Sequence, residues 1–182
     1  VPNTKRSPRR KFDFYPTSEW MVRQLLNNYP AIQGNLLEPC AGENDIARVL
    51  AKEPGVNTVT TNDLDPARMA HHNKDARRRF IYEVGEFDWI VTNPPFSDAM
   101  EILDKSYIHA KRGVAFLLRL SFLEPTFDRG PWLQKNPPTS IIVLPRYSFT
   151  GNGKTDSVTC AWMVWDKEAD FQEIQVVPRQ QG

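Results

Sequence analysis

Apolar positions recur with helical spacing from Ser18 to Tyr29, where Trp20, Met21, Leu25, Leu26 and Tyr29 mark one side. Pro16 and Thr17 precede this stretch and Pro30 stops it, so the spacing predicts a helix between them. Asn35 to Cys40 reads as a short strand. Asn44 to Glu53 reads as a second helix, with Ile46, Val49 and Leu50 on one side and Pro54-Gly55 as its terminator. Val56 to Asn62 is β-branched and strand-like. A helical turn follows Pro66, and Asn73 to Ala76 forms a weak element. Phe87 to Thr92 reads as a buried strand, and Ser97 to Lys111 as a helix with Met100, Ile102, Leu103 and Ile108 as its apolar positions. Gly113 to Leu120, Ser140 to Leu144 and Val158 to Trp165 are further strands.

Strands and helices alternate as far as residue 120, the pattern of an α/β fold with a mostly parallel sheet and helices on both faces. The loop from Pro145 to Ser157 has no room for a crossover helix. The last two strands are therefore expected to pair antiparallel at one edge. The chain divides into a flexible basic arm, 1–11, and a single domain, 12–182, with no separate target-recognition domain. Trp20, Trp89, Trp162 and Trp165 fall inside these elements and are core candidates; Trp132 suits packing as well as function.

Composition narrows the class. A chain of 182 residues with 25% charged and 40% hydrophobic residues fits one soluble core. No apolar run approaches the roughly 20 residues of a membrane helix. Val1 to Phe14 is polar and basic and does not read as a secretory signal. Two cysteines, Cys40 and Cys160, form no disulfide framework, and three histidines show no metal-ligand spacing, so no metal is expected. A reducing, cytoplasmic setting follows as an expectation.

The net charge of +1 hides segregation. Lys5, Arg6, Arg9, Arg10 and Lys11 lie in a segment free of acids, while residues 80–104 carry six acids and no base. Residues 111–157 carry seven bases against Glu124, Asp128 and Asp156. This is compatible with one basic face for phosphates, and equally with solvated loops.

In a sheet of this kind ligands sit at the carboxyl ends of the strands. The first strand is followed by Glu38-Pro39-Cys40-Ala41-Gly42, a tight turn that lets backbone approach a ligand closely. The second is followed by Asn62-Asp63-Leu64-Asp65-Pro66, where an acid about 20 residues beyond the glycine turn can accept ribose hydroxyls; Asp65 also suits a helix cap. Together these turns suggest a nucleoside-containing cofactor. The third is followed by Asn93-Pro94-Pro95-Phe96. Two prolines hold a rigid extended loop, so an Asn oxygen and the following carbonyl can face one point as paired acceptors. A planar exocyclic amine carries the matching N–H donors, and Phe96 offers a face for stacking its ring.

With Tyr15-Pro16-Thr17 added, this series of motifs resembles the class I S-adenosylmethionine-dependent amino-methyltransferases with the Asn-Pro-Pro-aromatic motif, most of all the DNA adenine-N6 enzymes. The likeness runs over residues 12 to 166. It implies a Rossmann-like methyltransferase fold and S-adenosylmethionine as cofactor, with S-adenosylhomocysteine as product. Tyr15, Pro16 and Thr17 would contact the methionine end, and Glu38, Pro39, Ala41 and Gly42 would form the loop beneath it. Asp63 would bind the ribose, Leu64 would pack on the cofactor adenine, and Asp75, followed by Ala76, would accept its amino group. Asn93 and Pro94 would hold the target amine, with Pro95 stiffening the loop and Phe96 stacking on the base.

The sequence departs from the family pattern at Asn44, which replaces a second glycine, and at Phe96, where tyrosine is commoner among DNA enzymes. The expected reaction is methyl transfer to the N6 amine of adenine in DNA. An RNA base is the alternative, then a glutamine side chain, then a scaffold without turnover. Arg119, Arg146, Ser148 and Lys154 join the basic arm as candidate nucleic-acid contacts. The oligomeric state is open, a monomer included.

Overall fold

The computed structural model describes residues 16–146 and 158–180. Tyr15, Lys5, Arg6, Arg9, Arg10, Lys11, Ser148 and Lys154 lie outside the described residues.

Seven strands form one sheet: β1 (Gly34–Glu38), β2 (Val56–Thr61), β3 (Trp89–Thr92), β4 (Gly113–Arg119), β5 (Ser140–Val143), β6 (Cys160–Asp166) and β7 (Glu173–Val176). Their spatial order is β2-β1-β3-β4-β6-β5-β7. The pairs among β2, β1, β3 and β4 are parallel. β6 runs antiparallel to both of its neighbours, as the short β5–β6 loop requires. The antiparallel strand is not itself the edge, however. It is inserted between β4 and β5, and β7, which the sequence reading lacks, closes the sheet parallel to β5. Ile174 and Val176 on β7 are exposed, so its four residues carry no burial pattern to read. The expected weak element at Asn73 to Ala76 forms no strand; a single parallel bridge between Asn62 and His72 lies just before it.

Helices cover both faces because the buried strands alternate apolar residues to each side. Leu36, Trp89, Val91, Ala115, Leu117, Trp162 and Val164 meet α1 (Glu19–Asn28) and α2 (Asp45–Leu50). Leu37, Ile90, Val114, Phe116, Met163 and Trp165 meet α3 (Ala99–His109), α4 (Gly130–Lys135) and a 3-10 turn at Arg79–Glu83. Ser18 caps α1, its hydroxyl accepting from the Met21 amide at 3.3 Å. α4 opens at Gly130-Pro131 and has only six residues, too short for a helical period to show in the sequence. Trp132 is a packing residue: its Nε1 donates to Asp104 at 3.0 Å, and its ring meets Tyr107 and Trp165 edge-on. Gly113 opens β4 where a Cβ would run into the Trp165 carbonyl and lie 2.7 Å from the Trp89 ring.

At the amino end of β4, opposite the strand ends that matter for function, the Tyr29 hydroxyl donates to Asp166 at 2.6 Å and Arg112 pairs with the same carboxylate at 3.3 Å. Burial works to raise the Asp166 carboxyl, but hydrogen bonds from Tyr29, Arg112 and the Glu168 amide outweigh it and hold the group below its usual range. A depressed carboxyl contributes stability that is present above the unfolded value of about 3.9 and is lost as pH falls through the folded one. Asp166→Asn is therefore expected to lower the unfolding midpoint at pH 7 and to flatten its decline below about pH 4. Thermal melts of both proteins across that range check it.

Candidate active site

β1, β2, β3 and β4 are parallel neighbours, so the segments that follow them emerge at one edge of the sheet. At the end of β1, Glu38 is only 1% exposed. Its Oε2 and the Thr92 Oγ1 at the end of β3 are both buried without a hydrogen-bond partner among the described residues. Burial pushes the Glu38 carboxyl well above its usual range; the nearby Thr92 hydroxyl opposes this and the Asp63 charge adds to it. Burial likewise pushes the Cys40 thiol up, with Glu38 contributing, so Cys40 is no ready nucleophile.

The turn after β1 is held open by two left-handed residues. Gly42 has φ +55° and Asn44 has φ 65°. Asparagine tolerates that conformation better than most residues, which is how it stands where a glycine was expected. Its side-chain amide also donates to the Met69 carbonyl at 2.8 Å, fastening the turn to the segment after β2.

Asp63 ties the two turns together. Its Oδ2 accepts from the Gly42 amide at 2.8 Å and its Oδ1 from the Asp65 amide at 2.9 Å. Asp65 in turn accepts from the Ala67 amide in an Asx turn; the segment after Pro66 is a turn and not a helix, so Asp65 caps none. Beside it, Asn62 is fully buried and contributes more than the sequence reading assigned. Its amide donates to the carbonyls of Pro39 and Lys74, both at 2.9 Å, and accepts from the Lys74 amide at 2.8 Å. Asn62 thus fixes the spacing of the β1 turn, the β2 turn and the segment carrying Asp75. An amide closing a strand just before an acid is the one sequence signal for it.

Leu64 is nearly half exposed and Ala76 is buried. Asp75 accepts from the Arg77 amide and Nε, both at 3.0 Å, and from Nη2 at 2.8 Å. The Arg77 guanidinium accordingly holds its carboxyl below the usual range. The Ala76 carbonyl is also engaged, accepting from the Tyr82 hydroxyl at 2.6 Å.

After β3 the chain enters Asn93-Pro94-Pro95-Phe96. Asn93 Nδ2 donates to Thr17 Oγ1 at 3.1 Å, which joins the segment before α1 to this loop across 76 positions of sequence. That donation orients the amide, so Oδ1 is its acceptor end. Thr17 and Pro94 are buried, whereas Pro16, Asn93, Pro95 and Phe96 are partly exposed. Arg119, the last residue of β4, lays its guanidinium over the Phe96 ring at 4.1 Å from the centroid. Such a contact is worth about 0.5–1 kcal/mol at an exposed site, less than the roughly 1–3 kcal/mol of a base stacked on an aromatic ring.

The following segment is stitched rather than loose. Arg129 Nε donates to the carbonyls of Phe122 at 2.7 Å and Glu124 at 3.2 Å, and Nη2 to that of Ser121 at 3.1 Å. Phe127 stands fully exposed within it. Arg146 is exposed beyond β5. Among the described residues no group of three or more His, Cys, Asp and Glu is placed to hold a metal ion, and no helix is long and apolar enough to cross a membrane.

Comparison by sequence with family models and with curated proteins finds no match. Comparison by structure does. The fold is similar to that of a candidate RNA methyltransferase from Pyrococcus horikoshii, with a TM-score of 0.63 and 14% identity over 90% of this chain and 93% of that one. It is similar to a candidate class I S-adenosylmethionine-dependent methyltransferase from Listeria monocytogenes, with a TM-score of 0.59 and 11% identity over 87% of this chain and 61% of that one. A 23S rRNA methyltransferase matches with a TM-score of 0.56 and 16% identity over 86% of this chain and 70% of that one. The chain has the Rossmann-like methyltransferase fold. At these identities the likeness is one of fold, and the residues at the strand ends must carry the rest.

Proposed function

We propose that this protein transfers a methyl group from S-adenosylmethionine to the N6 amine of adenine in DNA. The observation that supports it most is the Asn93 amide, turned by Thr17 so that Oδ1 is its acceptor end, on the strand next to β1, whose last residue Glu38 has a buried Oε2 without a partner among the described residues.

The donor set suits the cofactor. Glu38 is buried and its Oε2, without a partner among the described residues, is an acceptor that an ammonium group would satisfy, as the methionine end of S-adenosylmethionine carries. Asp63 already braces the Gly42 turn, and its oxygens have further lone pairs for ribose hydroxyls. Leu64 is exposed enough to cover an adenine ring, with Asp75 and Ala76 on the same segment as the Asn62 clamp. When bound, the cofactor would supply an electrophilic methyl group whose leaving group is already activated by positive charge.

The chain's own residues would position the acceptor. Asn93 Oδ1 and the Pro94 carbonyl would take the two N–H groups of the amine and draw density out of the ring onto nitrogen. Pro95 stiffens the loop and Phe96 stacks the base. The amine loses one proton to solvent after transfer, so no strong base is required. Most of the rate would come from orientation and desolvation. In a duplex the target must first be flipped out, at a cost of a few kcal/mol.

An RNA base is the second reading, favoured by the solved structures of similar fold whose names refer to RNA or rRNA. Incubation with methyl-labelled S-adenosylmethionine and, separately, unmethylated duplex DNA, bulk RNA and a protein extract tests both. N6-methyladenine recovered from DNA is the expected result. Label in RNA or protein keeps the chemistry and replaces the substrate, and no label in any pool overturns the reading.

A further inference from the structure

The face of Phe96 turned towards the end of β4 is covered by the Arg119 guanidinium. A planar ring entering on that side must replace it. Arg119 has no carboxylate within ion-pair distance among the described residues, so nothing there anchors the cation except the aromatic face. The guanidinium is flat and similar in thickness to a nucleobase, and its stacking is weaker than that of a base.

Resting on the nucleic-acid reading above, we infer that Arg119 is a specificity-determining residue that holds the place of the target ring on Phe96 and exchanges it for a phosphate. As the base takes the Phe96 face, the displaced guanidinium pairs with the backbone phosphate of the strand that carries the base. A guanidinium suits this better than an ammonium, because it stacks in one state and chelates phosphate in the other. The exchange couples ring entry to a nearby negative charge. A planar amine on an anionic strand gains both contacts, and a glutamine side chain on a protein gains neither.

The test uses a dye-labelled twelve-residue oligodeoxyadenylate with S-adenosylhomocysteine present, titrated at salt concentrations from 50 to 300 mM. Each phosphate neutralised on a single strand contributes about 0.7 to the slope of log affinity against log salt. Arg119→Ala is expected to weaken binding and reduce that slope by about 0.7. Arg119→Lys is expected to restore the slope, since it keeps the charge. Affinity for S-adenosylhomocysteine measured alone should match wild type in both variants, which controls for folding. Strand binding and methylation with an unchanged slope in Arg119→Ala would mean the guanidinium stays on Phe96, and would overturn the exchange alone. No strand binding by any variant, together with no label in nucleic acid, would overturn both the exchange and the reading beneath it.

Discussion

Asn93→Ala is expected to lower methyl transfer to nucleic acid by about a hundredfold or more, with cofactor affinity changed by only a few-fold. The amide donates to Thr17 Oγ1 at 3.1 Å, a partner from the segment before α1, which turns Oδ1 away as its acceptor end. Removing it deletes an acceptor aimed at the amine, and losses from a single positioned hydrogen-bonding group at a reacting centre are typically of this size. The cofactor turn is built from other atoms, those of Gly42, Asp63 and Asn62, so it should persist. Thr17→Val leaves the amide in place and removes only its bond to the Thr17 hydroxyl, so it should give a smaller loss. Single-turnover transfer rates beside cofactor titrations separate the two effects. Full activity in Asn93→Ala would remove the loop from the mechanism.

Trp162→Ala is expected to cost about 3–5 kcal/mol of stability. The side chain is fully buried in β6, between β4 and β5, and faces the α1–α2 layer. Its Nε1 also donates to the Met21 carbonyl at 2.8 Å, tying the inserted strand to α1. At about 2–4 °C per kcal/mol for a domain of this size, the melting midpoint should fall by roughly 10 °C. Trp162→Phe retains most of the packing and loses only the hydrogen bond, so its cost should be about 1–2 kcal/mol. Because α1 follows directly on Thr17, the alanine variant should also lose transfer activity at temperatures well below its melt. Melts paired with activity at two temperatures check this.

Most elements of the fold were legible in the pattern of apolar positions. β1, β2, β3, β4 and both long helices stand within about two residues of their expected bounds, because each carries a helical period, a β-branched run or a short apolar run bounded by turn residues. The misses share a physical cause. α4 is six residues opened by Gly130-Pro131, and β7 exposes its apolar side chains, so neither shows burial in its sequence. The Asn73 to Ala76 stretch is no strand because the Lys74 backbone is recruited by the Asn62 side chain rather than by a strand ladder.

The site divides in the same way. Local chemistry singled out Glu38 at the end of β1, and Gly42, Asp63 and Asn93 to Phe96 after β1, β2 and β3, as candidates, since such positions face one edge of the sheet. It was sufficient, too, to allow Asn44 a left-handed backbone. The sequence by itself determined the α/β class, the strand-end motifs and the segregation of charge. These depend on spacing of a few residues, which a linear text records. Only the tertiary structure decided that β6 enters the sheet before β5, that Thr17 turns the Asn93 amide, that Glu38 Oε2 and Thr92 Oγ1 are buried without partners among the described residues, and that Arg119 lies on Phe96. Each of these joins residues distant along the chain, and such contacts are set by how the layers pack rather than by any local preference.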